Sequence, residues 1–218
     1  MQAKLLDGDR AREAIGILLN EYPNAHYYLD FKTPIDLLVA AILSAQTRDE
    51  VVNALTPALF GKYRTAKNYA SADPGELYNH VKAVSFAGSK AKNIIATCKS
   101  IDERYNGEVP RSMEELVELP GVGRKTANTI LINAYGIVVG IPVDTWVIKV
   151  PGRIGLTRSK DPQVIEEDLM RLVEKKHWHN IAYVFKAHGK RICQSQIPLC
   201  SKCPIAGLCQ RNGVTKSG

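Results

Sequence analysis

The sequence predicts an all-α protein, and three observations carry that expectation. Apolar residues recur at helical spacing through most of the chain, capping signals precede those runs, and no long stretch sustains the alternation of a strand. The one β-favouring run, Ile137-Val138-Val139-Gly140-Ile141-Pro142-Val143, is short and broken by glycine and proline.

Over residues 9–22, Ala11, Ala14, Ile15, Leu18, Leu19 and Tyr22 fall on one helical face. Thr33-Pro34 reads as an N-cap followed by proline at the first helical position. The helix expected over 35–45 is apolar on nearly every side, the mark of a helix enclosed by its own domain. Asp73-Pro74-Gly75-Glu76 and Ser112-Met113-Glu114-Glu115 match capping boxes, in which the third residue on reaches back to the cap. Over 89–105, Ala91, Ile94, Ile95, Cys98 and Ile101 trace another face, with Gly107 just past its end. Further helices are expected over 124–135, 145–150, 162–176 and 180–191. No repeat, low-complexity tract or long linker interrupts the pattern.

The 218 residues leave room for one large domain or two small ones. With 45% apolar and 23% charged residues, the chain belongs among globular rather than disordered proteins. A net charge of +7 favours a polyanionic partner, but charge alone does not separate DNA from RNA or from an acidic membrane. No apolar run approaches the roughly 20 residues that span a bilayer. The start, Met1-Gln2-Ala3-Lys4-Leu5-Leu6-Asp7-Gly8, lacks the apolar region of a signal peptide. The expected compartment is therefore the cytoplasm, where thiols stay reduced, and five cysteines are poorly explained as a disulfide framework.

Four of them crowd the C-terminal end. Cys193, Cys200, Cys203 and Cys209 have the spacing C-x6-C-x2-C-x5-C. A pair two residues apart can set both sulfurs on one metal from a tight turn, and the flanking pair completes a four-sulfur shell. Soft thiolates suit an iron–sulfur cluster or zinc, and spacing alone does not choose between them. Cys98 stands apart as a small core residue. The histidines His26, His80, His177, His179 and His188 form no ligand set and read as surface or structural.

Between two helical patterns lies Leu119-Pro120-Gly121-Val122-Gly123-Arg124-Lys125-Thr126-Ala127. Paired glycines permit a hairpin closed to other residues and let backbone approach another molecule closely. The N–H groups opening the next helix suit a phosphate oxygen, so Gly121, Val122, Gly123 and Arg124 are candidate contacts to a nucleic-acid backbone. A plain helix–helix turn is the bland alternative. Lys125 falls in the first helical turn, where the positive helix end and Arg124 disfavour its ammonium form. That is the condition for an amine nucleophile. Asp144 in Val143-Asp144-Thr145 precedes a helix, and capping is compatible with catalysis because a capped helix start fixes where the carboxylate points.

Hairpin, lysine, later aspartate and terminal cysteines, in that order, resemble the endonuclease III branch of the helix–hairpin–helix DNA glycosylases. The resemblance runs from about Thr33 to Cys209. Leu43-Ser44-Ala45-Gln46-Thr47 looks like the family's L-S-x-Q-T/A segment, and Gly88-Ser89-Lys90-Ala91 like its segment before a barrel helix. It implies two lobes with a DNA-binding cleft: a helical barrel over 27–138, and a second lobe of 1–26 with 139–218. The cysteine spacing equals that of the family's loop and implies a [4Fe–4S] cluster on Cys193, Cys200, Cys203 and Cys209. By the same resemblance Lys125 would attack C1′ of an extruded nucleoside, Asp144 would assist it, and Gln46 would fill the gap in the duplex. Extrusion is required because a stacked base hides its sugar. Ser89 and Lys90 join the candidate DNA contacts. The implied substrate is double-stranded DNA containing damaged bases or abasic sites, with oxidised or ring-damaged pyrimidines expected. The implied enzyme is a monomer at the nucleoid.

Two departures adjoin Asp144. Trp146 stands where the family often has histidine, and Val150-Pro151-Gly152 interrupts what is usually continuous helix, since an internal proline bends or ends one. Both bear on substrate range rather than reaction type. Three rival readings remain: a monofunctional mismatch or adenine glycosylase of the same fold, a non-catalytic DNA-binding module, and an electron carrier. The first generally lacks a lysine at position 125, the second needs neither Lys125 nor Asp144, and the third leaves the hairpin idle.

Overall fold

The computed structural model describes residues 3–218. Met1 and Gln2, which the sequence reading assigns to the second lobe, lie outside the described residues. Those described form helices α1 Gly8–Glu21, α2 Pro34–Ser44, α3 Asp49–Lys62, α4 Ala66–Ala70, α5 Pro74–Val81, α6 Ala87–Arg104, α7 Met113–Val117, α8 Arg124–Tyr135, α9 Thr145–Ile154, α10 Pro162–Leu172 and α11 Ile181–Arg191. No strand occurs among them, and none of the helices is long and apolar enough to cross a membrane. They form two compact units: Tyr28–Ile137, and the chain up to Tyr27 together with Val138–Gly218.

The first unit is built around α2. The Thr33 hydroxyl accepts from the Asp36 amide at 3.2 Å while the Asp36 carboxylate accepts from the Thr33 amide at 3.0 Å, and Pro34 begins the helix. Every residue from Ile35 to Leu43 is then buried. Each such leucine, isoleucine or valine contributes about 1.5–3 kcal/mol against exposure, so the apolar-all-round pattern locates the centre of the unit. Helices α3, α6 and α8 pack against it.

Local details differ from the pattern. Neither of the two expected capping boxes closes reciprocally, whereas Thr33, expected only as an N-cap, forms one. Asp73 accepts from the Glu76 amide at 2.8 Å, but the Glu76 carboxylate is taken by Lys62 and by the Tyr63 hydroxyl. Ser112 accepts from the Glu115 amide at 3.3 Å and donates back to the Glu115 carboxylate at 2.6 Å, inside the side-chain pair. Helix α3 contains Pro57, and it survives because Val52, Thr56 and Leu59 are buried along one side. Cys98 is buried in α6, where desolvation pushes its thiol up to about 12, as befits a core residue.

In the second unit, Ala11, Ala14, Ile15 and Leu18 of α1 enter a core shared with α9, α10 and α11. The β-favouring run becomes irregular chain instead. Ile141 and Val143 are buried in this core, and the Ile141 amide donates to the Glu166 carboxylate at 3.2 Å. The helix expected over 162–176 ends at Leu172 and is followed by a 3-10 turn at Lys175–His177.

Candidate active site and cysteine loop

The two hairpin glycines have different jobs. Gly121 has φ +77°, and a Cβ there would sit 3.0 Å from the Asn93 side chain, so both conformation and space demand glycine. Gly123 is extended at φ −94° and ψ 174°, and a Cβ on it would meet nothing within 4 Å. Its missing side chain leaves room outside the chain rather than inside it. Leu119 and Val122 anchor the turn in the core, and Thr97 donates its hydroxyl to the Pro120 carbonyl. The Val122 amide donates to the Leu119 carbonyl at 3.0 Å, so this candidate contact is spent within the hairpin and its side chain is buried. The outward donor set therefore starts at Gly123. That residue is the N-cap of α8 and has no side chain to cap it. Arg124 and Lys125 are exposed in the first turn, and the Lys125 carbonyl accepts from Thr129 at 2.9 Å.

The Gln46 turn follows α2 in the same unit. Gln46 is exposed and left-handed at φ 53°, a region costly for a residue with a Cβ. Lys90 is drawn beneath it: only 6% exposed, it donates to the Leu43 carbonyl at 2.7 Å, the Ala45 carbonyl at 2.6 Å and the Thr47 hydroxyl at 2.9 Å. The reading of Lys90 as a DNA contact does not fit this position, because its ammonium is turned into the protein. Ser89 remains exposed beside it in α6, the helix itself rather than a segment preceding one. The Thr47 hydroxyl also accepts from the Ser85 amide at 3.1 Å. This ties the Gln46 turn to Phe86, a second left-handed residue (φ 57°) that is 66% exposed. Periodicity gave no sign of Phe86, because it lies one residue outside α6.

In the other unit Asp144 caps α9. Its Oδ1 accepts from the amides of Trp146 at 2.8 Å and Val147 at 2.9 Å, and both bonds on one oxygen fix the direction of Oδ2. Trp146 is half-buried against α11. A Cβ on Gly189 would fall 2.2 Å from its ring, so that glycine makes room for the tryptophan. Pro151 does not end the helix. The turn continues to Ile154, and Gly155 (φ +97°) closes it with its amide on the Pro151 carbonyl at 3.0 Å.

The last turn of α9 holds the cysteine segment. Arg153 donates to the carbonyls of Cys193 at 3.0 Å, Gln194 at 2.7 Å and Ser195 at 2.9 Å, and meets the Cys193 sulfur at 3.5 Å. All four cysteines line one small cavity, walled by apolar side chains such as Ile154 and Ile205. The Arg211 amide donates to the Cys209 sulfur at 3.4 Å, and burial pushes that thiol up to about 11. His188, read as surface or structural, is buried here. Nε2 lies 3.7 Å from the Cys203 sulfur, and Nδ1 meets the Tyr22 hydroxyl at 3.1 Å. Burial lowers this imidazole to about 4, which leaves it neutral. Burial holds the Cys203 and Cys209 thiols above their ordinary range, so a cation beside them would favour the thiolate, and the Arg211 amide aimed at the Cys209 sulfur suits a thiolate-ligated cluster. The residues present fit such a group.

Three comparisons bear on this arrangement. The sequence profile of the HhH-GPD superfamily base excision DNA repair proteins matches residues 39–175, which include the hairpin, Lys125 and Asp144. The chain is 47% identical over 200 residues to endonuclease III of Synechocystis sp., covering 92% of this chain and 91% of that one. It is also 42% identical over 190 residues to endonuclease III of Bacillus subtilis, covering 87% and 86%. Among solved structures, a trapped endonuclease III–DNA covalent intermediate superposes with a TM-score of 0.91 at 38% identity, over 95% of this chain and 97% of that one.

Proposed function

Since the chain belongs to the HhH-GPD superfamily of base excision DNA repair proteins, and within it to the endonuclease III family, we propose that Lys125 is its nucleophile and Asp144 the carboxylate that serves it. The protein is a bifunctional DNA glycosylase and AP lyase that binds DNA. The observation that carries the residue assignment is the position of Lys125. It is exposed, in the first turn of a helix whose N-cap has no side chain, directly after a hairpin suited to a phosphate.

In this reading the Gly123 amide and the opening of α8 take a backbone phosphate, Arg124 and Ser89 add contacts, and Gly121 shapes the turn. Gln46 enters the duplex where the damaged nucleoside has left it, and exposed Phe86 offers an apolar face to the neighbouring bases. Lys125, as the unprotonated amine, bonds through Nζ to C1′ while the C1′–N bond breaks and its electron pair leaves with the base, which takes up a proton. Asp144 accepts the proton that Lys125 sheds and stabilises positive charge on the sugar. The C1′–O4′ bond of this adduct then breaks, O4′ takes up a proton and the nitrogen lone pair completes the imine. The imine acidifies C2′, loss of that proton expels the 3′ phosphate, and water then releases the lysine. We assign as substrate double-stranded DNA carrying an oxidised or ring-damaged pyrimidine, or an abasic site.

Cys193, Cys200, Cys203 and Cys209 would hold a [4Fe–4S] cluster, which supplies a structural cross-link to the C-terminal segment when bound. Two measurements test the reading. Borohydride should trap a covalent adduct on abasic duplex, and a panel of single-lesion duplexes, scored separately for base release and nicking, should favour damaged pyrimidines. Purified protein should be yellow-brown with about four irons per chain, and Cys200→Ser should lose both. Stoichiometric zinc in anaerobically purified protein would overturn the choice of metal.

A further inference from the structure

A lysine in the interior needs a reason. Burial lowers Lys90 to about 8, so its charge is held at a cost, and an apolar side chain of similar volume would serve stability at least as well. What the ammonium does is specific. Its three N–H groups have three acceptors, two of them (the Leu43 and Ala45 carbonyls) before Gln46 and one (the Thr47 hydroxyl) after it. The carbonyls lie at the C-terminal end of α2, where the last helical acceptors lack intrahelical donors and the helix end carries partial negative charge. The residue thus enclosed is the exposed one at φ 53°. A non-glycine residue stays left-handed only where its surroundings over-determine it.

We propose that Lys90 is a positioning residue that holds the Gln46 turn in its left-handed form, so that the Gln46 side chain is set for the duplex before DNA arrives. The proposal rests on the reading of Gln46 as the residue that enters the duplex. Thr47 extends the same device to the second turn, because its hydroxyl takes both the Lys90 ammonium and the Ser85 amide, one residue before Phe86. The arrangement is paid for in desolvation and returned as preorganisation, since a turn that DNA had to order would cost binding energy at the extrusion step. Lys90 does not touch the reacting atoms. Its absence should therefore be felt where a base must leave a stack, and felt less where no stack exists.

The experiment compares Gln46→Ala, Lys90→Met, the double variant and Thr47→Val on two substrates. One is a duplex with 2-aminopurine beside the lesion, whose fluorescence reports extrusion. The other is a preformed abasic single strand, cleaved without any gap to fill. Lys90→Met should lower extrusion and single-turnover excision on the duplex by roughly 10- to 100-fold. That loss should exceed its loss on the single strand by at least about tenfold, and the double variant should be no worse than Gln46→Ala within roughly twofold, as coupled sites require. Equal losses on both substrates, or independent additive losses in the double variant, would overturn the proposal. If Gln46→Ala leaves extrusion intact, the role of Gln46 fails first and takes this inference with it. Should Lys90→Met not fold, Thr47→Val keeps the ammonium and removes one acceptor. Extrusion should then fall about threefold or more, and unchanged extrusion would overturn the proposal.

Discussion

Two helix starts in this protein present the same electrostatics and answer it in opposite ways. At α8 the N-cap is Gly123, which brings no side chain to the helix end. At α9 the N-cap is Asp144, whose Oδ1 takes two amides of the first turn. A helix N-terminus attracts negative charge, and a protein can supply that charge itself or leave the place to a ligand. In the proposed reading the first start is left for a phosphate, with Lys125, the proposed nucleophile, second in the helix. The second is filled from within, and filling it aims the carboxylate. On the proposed roles of the two starts, one feature of backbone geometry serves both to dock a substrate and to orient a catalytic group.

The largest effect that sharpens this comparison is on Lys125. Lys125→Gln should abolish borohydride trapping and lower single-turnover strand nicking by at least roughly a thousandfold, while equilibrium binding to abasic duplex changes little. Trapping at the wild-type level would move the nucleophile elsewhere. Asp144→Asn comes next. Asparagine caps a helix as well as aspartate does, so α9 should start unchanged while the charge is gone. Excision should fall about 10²- to 10⁴-fold with binding held or improved, because a carboxylate repels DNA. A parallel drop in binding and excision would mean that the residue only caps.

The smallest effects separate the two hairpin glycines. Gly123→Val should weaken binding to damaged and undamaged duplex alike by about 1–3 kcal/mol, with the thermal midpoint nearly unchanged, because nothing inside the protein lies where the new side chain would go. Gly121→Ala should do the reverse. Its φ of +77° and the contact with Asn93 put the cost in the fold, about 1–2 kcal/mol by denaturation. If both variants lost the same property, the division between an inward and an outward glycine would be wrong.

How far the sequence reached follows from what each residue interacts with. The start of α8 was legible because its signal, glycine before a polar helical turn, is local. The same holds for Asp144 as a cap, and for α2, whose uniform apolarity already states its burial. Helix α3 was not read, because Pro57 contradicts it locally and only tertiary burial of Val52, Thr56 and Leu59 overrides that. The box at Asp73 misled for a similar reason: Lys62, fourteen residues from Glu76, claims the carboxylate meant to close it. The burial of Lys90 is not legible in the sequence, because lysine is normally exposed and no pattern announces that three acceptors wait 43 to 47 residues upstream. At Val122 what the sequence hides is a single amide bond, which only the folded turn spends on the Leu119 carbonyl. The places of His188 and Arg153 beside the cysteine loop are not legible in the sequence, because their neighbours there are set by chain reversal rather than spacing.

Pro151 and Gly152 raised the expectation of a broken helix, and its continuity changes how α9 behaves as a mechanical part. Ten residues of unbroken helix make a strut about 15 Å long. Asp144 is seated on one end, and at the other Arg153 grips the backbone on either side of Gln194. A strut transmits rotation from end to end, so the bearing of the carboxylate is set in part by how firmly the far end is clamped. On the proposed role of Asp144, a chain whose cysteine segment has not closed would carry that carboxylate on a loose mounting, and maturation of the loop would double as the tightening of its seat.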